Sequence, residues 1–235
     1  MRKLKAVVML AVAALLAGPA YAADYPQYPP IDIPDLPPVD YGLAGSFYLR
    51  GSVGGNGWWA ENAQYCNCAV TTFDTPGYGY SLGVGAGYET GDGLRADVTI
   101  DFLSNGNLTT SNGYKVHMRS GLALANVYYD FPLNDGGYSA EGGFGLYVGA
   151  GLGVAQTYSE VMDGSTQYAW GRSFEGAGAI MAGVSYDMGN MVADVGYRGI
   201  YMNKVMSQPA NMANAYLVNN NFIHEVRGTM RYRFN

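Results

Sequence analysis

Charged side chains recur at alternate positions along Tyr- and Gly-rich segments of this 235-residue chain. Arg50, Arg95, Lys115, Arg119, Arg198, Arg227, Arg231 and Arg233 share one parity with Glu89, Asp97, Asp101, Glu175, Asp194 and Glu225, and the positions between them are almost free of charge. Side chains two apart on a strand share a face, so both signs of charge gather on one side of a sheet. In a confined space such groups must pair, because an isolated buried charge is strongly unfavourable. The chemistry expected of Arg50, Arg95, Asp97, Asp101, Arg119, Glu175, Asp194, Arg198, Glu225, Arg227, Arg231 and Arg233 is therefore a fused internal ion-pair and hydrogen-bond network.

Catalysis is tested next. A hydrolytic nucleophile must lie within hydrogen-bond reach of its base. The chain has two His. Ser120 is three residues from His117, on the opposite face of a regular strand, and His224 and Glu225 point apart in the same way. The Gly-x-Gly runs at 83–87 and 149–153 repeat with period two and precede no helix, and Gly55-Asn-Gly-Trp-Trp-Ala60 mimics a dinucleotide fingerprint equally emptily. We assign no catalytic residue and no cofactor. Cys66 and Cys68 lack a neighbouring His and make a poor metal site, so none is assigned. Strand-like residues at that spacing sit too far apart for a disulfide, although a local turn could close one. A loop-local bridge and free thiols both stay open.

These groups need elements to hold them. Charged residues make up 14% and aromatics 14%, with 34 Gly and 21 Tyr, which suits a wall alternating between lipid and a polar interior. Residues 1–22 read as a signal peptide: Arg2, Lys3 and Lys5, then the apolar run 7–17, then Ala20-Tyr-Ala22 before the cut. The Pro-rich stretch 23–44 reads as a periplasmic linker. Without Arg2, Lys3 and Lys5 the 13 cations become ten against 19 acids, a net charge of −9 that excludes nucleic acid as a partner.

From residue 45 to 235 the dominant period is two. Strands are expected near 45–55, 77–89, 93–103, 113–131, 143–157, 173–187, 191–202 and 221–234. In the fourth, Tyr114, Val116, Met118 and Leu122 are placed opposite Lys115, His117 and Arg119, with a bulge near 124–126 switching parity before Val127, Tyr129 and Phe131. Short connections at 91–93, 132–137 and 187–190 alternate with long ones near 56–76, 103–113, 158–172 and 203–220. Short periplasmic turns with long outer loops are the asymmetry of an outer-membrane barrel. The expected fold is all-β, an eight-stranded antiparallel transmembrane β-barrel, surrounded by outer-membrane lipids and lipopolysaccharide. Eight strands leave an interior just wide enough for side chains to fill, so the lumen is expected to be plugged. Trp58, Trp59, Tyr78, Tyr88, Tyr129, Phe131, Tyr186, Tyr201, Tyr232 and Phe234 stand near strand ends, where aromatic girdles form.

An ordered set of motifs covering residues 45–235 resembles the alphaproteobacterial outer-membrane surface-protein family, porin-like barrels of the OmpA/OmpX architectural type. It consists of Phe47-Tyr-Leu-Arg-Gly-Ser-Val-Gly54, Ala125-Asn-Val-Tyr-Tyr-Asp-Phe131, Tyr147-Val-Gly-Ala-Gly-Leu-Gly-Val-Ala155, Val195-Gly-Tyr-Arg198 and His224-Glu-Val-Arg-Gly-Thr-Met-Arg-Tyr-Arg-Phe234. The resemblance implies a Gram-negative surface antigen without catalytic activity. It also implies a terminal aromatic signal, here Tyr232 and Phe234, read by the barrel-assembly machinery. The favoured role is a non-enzymatic barrel that supports the envelope and presents loops, whose exposed aromatics could bind a host or phage ligand. The alternatives are a small diffusion porin and, third, a lipid-modifying enzyme.

Overall fold

The computed structural model describes residues 45–65, 69–111, 113, 115–133, 143–163, 166–167, 171–206 and 216–234. The signal segment 1–22, the linker 23–44, Cys66 and Cys68 lie outside them. Ten strands form: β1 (Ser46–Tyr65), β2 (Ala69–Thr75), β3 (Gly77–Glu89), β4 (Leu94–Thr110), β5 (Lys115–Pro132), β6 (Gly143–Asp163), β7 (Thr166–Gln167), β8 (Gly171–Asp187), β9 (Met191–Met206) and β10 (Tyr216–Phe234).

Eight of them close a ring. In order β1, β3, β4, β5, β6, β8, β9 and β10 each pair antiparallel with the next. The ring shuts where β10 returns to β1, from Phe47↔Phe234 to Tyr65↔Tyr216. β2 and β7 extend the hairpins at the loop end, β2 against β1 and β4 and β7 against β6. Closure leaves no sheet edge in the ring, so its backbone polar groups find partners within the wall, which hydrocarbon demands. The tight turns at the other end use Gly91, Gly93 and Gly189, with φ of 82°, 98° and 83°, a region only Gly enters freely.

Burial is inverted relative to a water-soluble protein. Leu152 is 76% exposed and Phe47 66%, while Arg95 and Asp101 are 2% exposed. The solvent of the outer face is therefore lipid. We predict that Leu152→Arg, halfway along the outward face of β6, lowers folding stability by about 2–4 kcal/mol, the penalty for a midplane cation. Urea titration of refolding into vesicles measures it, and an unchanged midpoint would place Leu152 off the lipid face.

The strands exceed the roughly 9–11 residues a bilayer requires: β1 has 20, β6 has 21 and β10 has 19. Much of 56–76, 103–113, 158–172 and 203–220, expected as loops, is thus strand. Beyond the lipid an outward position no longer has to be apolar, so alternation fades while hydrogen bonding continues. Past Trp59, Glu61 of β1 and Asn219 to Asn221 of β10 show no apolar contrast.

The expected parity switch in β5 is corrected. Its inward residues run unbroken from Val116 through Met118, Ser120, Leu122, Leu124, Asn126 and Tyr128 to Asp130, and its register with β6 is continuous. The irregularities lie elsewhere. The β4–β5 register shifts between Asn105 and Leu108, and in β10 Asn220 takes φ 51°. Around Asn220 the inward parity flips, so that Val218 and Ile223 are both buried. Arg119 consequently lies on the outside of the barrel, exposed, and is not part of the lumen network.

Candidate functional site

The lumen has two storeys, and the half nearer the short turns holds the charges. At its mouth Arg233 pairs with Asp187 at 2.6 Å and with Glu89, and Arg231 with Asp194 at 3.1 Å and Glu89 at 3.2 Å. Deeper, Arg50 meets Asp97 at 2.7 Å. Asp97 also accepts from the Tyr48 hydroxyl at 2.9 Å and from Asn126 Nδ2 at 2.7 Å. Arg95 pairs with Asp130 at 2.6 Å, its guanidinium 3.9 Å from the Tyr128 ring centroid. Arg198 bridges Asp101 and Glu225, each at 2.8 Å. Arg227 lies 3.8 Å from both acids and donates to Ser52 Oγ at 2.7 Å.

The local sequence makes these contacts feasible. Arg50 of β1 and Asp97 of β4 must reach across β3, whose inward residues there are Gly83, Gly85 and Gly87. A Cβ on Gly87 would lie 2.7 Å from the Tyr48 ring, and one on Gly85 3.2 Å from Arg50 Cγ. Side chains at these positions would separate the partners.

The half nearer the loops is apolar inside. Trp58, Leu103, Leu108, Val116, Met118, Leu122, Met181, Ile200, Met202, Val205, Val218 and Ile223 are buried together. Among the polar groups there, Trp58 Nε1 donates to Asn221 Oδ1 at 3.0 Å and the Ser120 and Thr157 hydroxyls sit 2.8 Å apart, while the buried Ser159 and Ser173 hydroxyls have no hydrogen-bond partner among the described residues. This storey explains the misassigned parity of Arg119. Where the interior is itself apolar, Val116, Met118 and Leu122 resemble a lipid face, and the outward cation resembles a lumen one.

Of the twelve expected network residues, the structure brings ten together: Arg50, Arg95, Asp97, Asp101, Asp194, Arg198, Glu225, Arg227, Arg231 and Arg233. Glu175 points inward, half-buried, and has no salt bridge among the described residues. Arg119 faces out. Asp130, Glu89 and Asp187 complete the network; Asp130 was left out although the alternation Val127, Tyr129, Phe131 already set it on the inward side. Trp58, expected in a girdle or loop, is 0% exposed inside the barrel, and Trp59 beside it is 50% exposed. Tyr232 and Phe234 lie outward at the turn end of β10, edge to face at 5.2 Å. Ser120 is buried while His117 lies on the outward face, and Glu225 is buried while His224 is exposed and bonded through Nδ1 to the Tyr197 hydroxyl at 2.7 Å. Neither His meets its neighbouring candidate. Among the described residues no group of three or more His, Cys, Asp or Glu could hold a metal ion.

A closed ring with lipid outside and salt-bridged arginines inside defines an outer-membrane β-barrel. The chain is 30% identical over 274 aligned residues to uncharacterized proteins of Brucella abortus (strain 2308), Brucella suis biovar 1 and Brucella melitensis biotype 1, spanning 92% of this chain and 93% of each relative. It belongs to that family, an alphaproteobacterial family of outer-membrane barrels. No family model matches the chain. Among solved structures it is similar to Neisserial surface protein A, with a TM-score of 0.47 and 22% identity over 80% of this chain and 97% of that one. The attachment invasion locus protein Ail of Yersinia pestis gives 0.40 and 15% over 80% and 98%. The outer membrane protein AlkL gives 0.41 and 13% over 93% and 97%. The assignment to the outer membrane rests on the ring and its lipid-facing wall.

Proposed function

We propose that the protein is a non-enzymatic structural barrel that supports the outer membrane and presents its loop-end hairpins at the cell surface. The observation that supports this is the filled cross-section. Guanidinium–carboxylate pairs occupy the turn half and a close-packed apolar cluster occupies the loop half, so a solute would have to break both. Its partners in this reading are the surrounding lipids and, during biogenesis, the barrel-assembly machinery reading Tyr232 and Phe234. The surface hairpins are the part available to a host or phage ligand.

Planar-bilayer recording of the refolded mature chain tests it. The wild type is expected to be silent. Arg231→Ala, which removes the partner of Asp194 and Glu89, is expected to be silent too, because the apolar storey still closes the lumen. Steady wild-type conductance would make the protein a small porin. Deleting the gene is expected to sensitise cells to bile salts and large antibiotics, reversed by the wild-type copy; unchanged sensitivity would remove the supporting role.

A further inference from the structure

A polar strip runs beside the buried apolar residues of the loop half. Ser120 of β5, Thr157 and Ser159 of β6, and Ser173 and Glu175 of β8 all point inward. Thr157 lies directly opposite Ser173, and Ala155 directly opposite Glu175. The Thr157 and Ser120 hydroxyls bond each other at 2.8 Å. Ser159 and Ser173 are 0% and 5% exposed, and their hydroxyls have no partner among the described residues. Glu175 has no salt bridge among them either. In this it differs from the seven acids of the charged half. From Glu89 at the mouth to Asp101 and Glu225, each of those has a guanidinium within 3.2 Å. An inward carboxylate of this barrel is held by a cation, and Glu175 is the exception.

The missing cation is not supplied by the barrel. All ten cations outside residues 1–22 are among the described residues. Six of them are in the charged network, and Lys115, Arg119, Arg172 and Lys204 are exposed. Lys204 comes nearest by register. The β8–β9 ladder ends at Ala177↔Met202, although β8 stays paired with β6 as far as Gly171 and β9 with β10 as far as Met206. Two further steps would set Lys204 opposite Glu175. Lys204 instead lies opposite Asn219 of β10, on the exposed side. The site is reached from the loop end. Eleven residues separate Glu175 from Tyr186 near the turn end of β8. At about 3.3 Å each and a tilt of about 40° they rise about 28 Å along the membrane normal. The apolar band of such barrels is about 25 Å tall, so Glu175 stands just past it on the outer side.

We propose that Glu175, Ser173 and Thr157 form a binding site for the ammonium group of a small primary amine that enters from the loop end. A primary ammonium has three N–H donors and no acceptor, which matches one carboxylate and two neighbouring hydroxyl oxygens. Ala155, Ala177 and Met202, buried beside Glu175, give its methylenes an apolar floor. Calcium takes roughly 6–8 oxygen ligands, more than this strip supplies. The site uses the loop half of the lumen alone, so it stands whether or not the barrel supports the envelope. Ligand-observed NMR titration of the refolded mature chain in maltoside micelles with n-butylammonium tests it. The wild type is expected to bind n-butylammonium at least tenfold more tightly than n-butyltrimethylammonium, which keeps the charge and has no N–H. Sodium is expected to displace the amine only at tenfold or greater excess. Glu175→Gln is expected to abolish binding and Ser173→Ala to weaken it severalfold, with both variants forming the barrel by circular dichroism, and Lys204→Gln to bind as the wild type does. Absence of wild-type binding would overturn the proposal and leave the strip to buried water. So would equal affinity for the trimethyl analogue, displacement by equimolar sodium, or wild-type affinity in Glu175→Gln.

Discussion

Arg198→Ala is expected to lower the unfolding free energy by about 3–5 kcal/mol, measured by urea titration in vesicles, the range for breaking a buried ion pair by removing one partner. Arg198 is buried and serves two carboxylates at once, Asp101 at 2.8 Å and Glu225 at 2.8 Å. Without it both acids remain in the lumen beside Arg227, whose 3.8 Å separations are too long to replace it. The penalty comes from stranded charge more than from lost attraction. Arg198→Met combined with Asp101→Asn and Glu225→Gln is therefore expected to recover much of the loss, because no uncompensated carboxylate remains there. Arg119→Ala, on the outer surface, is expected to stay within about 0.5 kcal/mol of wild type. A large effect at Arg119 with a small one at Arg198 would reverse the inside and outside of this wall.

Trp58→Ala is the second large effect, expected to cost about 3–5 kcal/mol, the range for truncating a buried aromatic. Trp58 is fully buried among the apolar residues of the loop half, and its indole donates to Asn221 Oδ1 at 3.0 Å. Truncation leaves a cavity and strands the Asn221 acceptor. Trp58→Phe keeps most of the packing and loses the hydrogen bond, so about 1–3 kcal/mol is expected. The quenching of tryptophan emission by bromine-labelled lipid separates Trp58 from Trp59. In a Trp170→Phe background, which removes the third tryptophan, the Trp58→Phe variant, reporting from the exposed Trp59, is expected to be quenched strongly, and Trp59→Phe weakly. Equal quenching would place Trp58 at the lipid boundary and remove the apolar storey from the account.

The strongest sequence signals came from segments where lipid lies on one side and charge on the other. β3, β4 and β10 show this most clearly: Leu82, Val84 and Ala86 against glycines, Val98 and Ile100 against Asp97 and Asp101, Val226 and Met230 against Arg227 and Arg231. There both faces are constrained and period two is unambiguous. In β5 the same reading failed over Lys115–Leu122, because inward Val116, Met118 and Leu122 carry the apolar signature usually reserved for lipid. Asp130 was left out of the network although Val127, Tyr129 and Phe131 set it inward, and Trp58 was assigned to the surface because an aromatic near a strand end fits a girdle as well as a plug.

The amino-acid sequence by itself determined that this chain makes about eight antiparallel strands, that one face of each is apolar, and that arginines and carboxylates share the other. Alternation, glycine placement and turn residues are local properties, readable without knowing which strand neighbours which. Only the tertiary structure decided that the lumen changes character halfway along, that ten of the twelve proposed network residues meet, and that Arg119 stands outside with Arg172. Those facts depend on registers between strands, on the left-handed backbone of Asn220 and on glycines that let side chains cross over β3. Period two records that two faces differ, and closure of the ring settles which of them is inside.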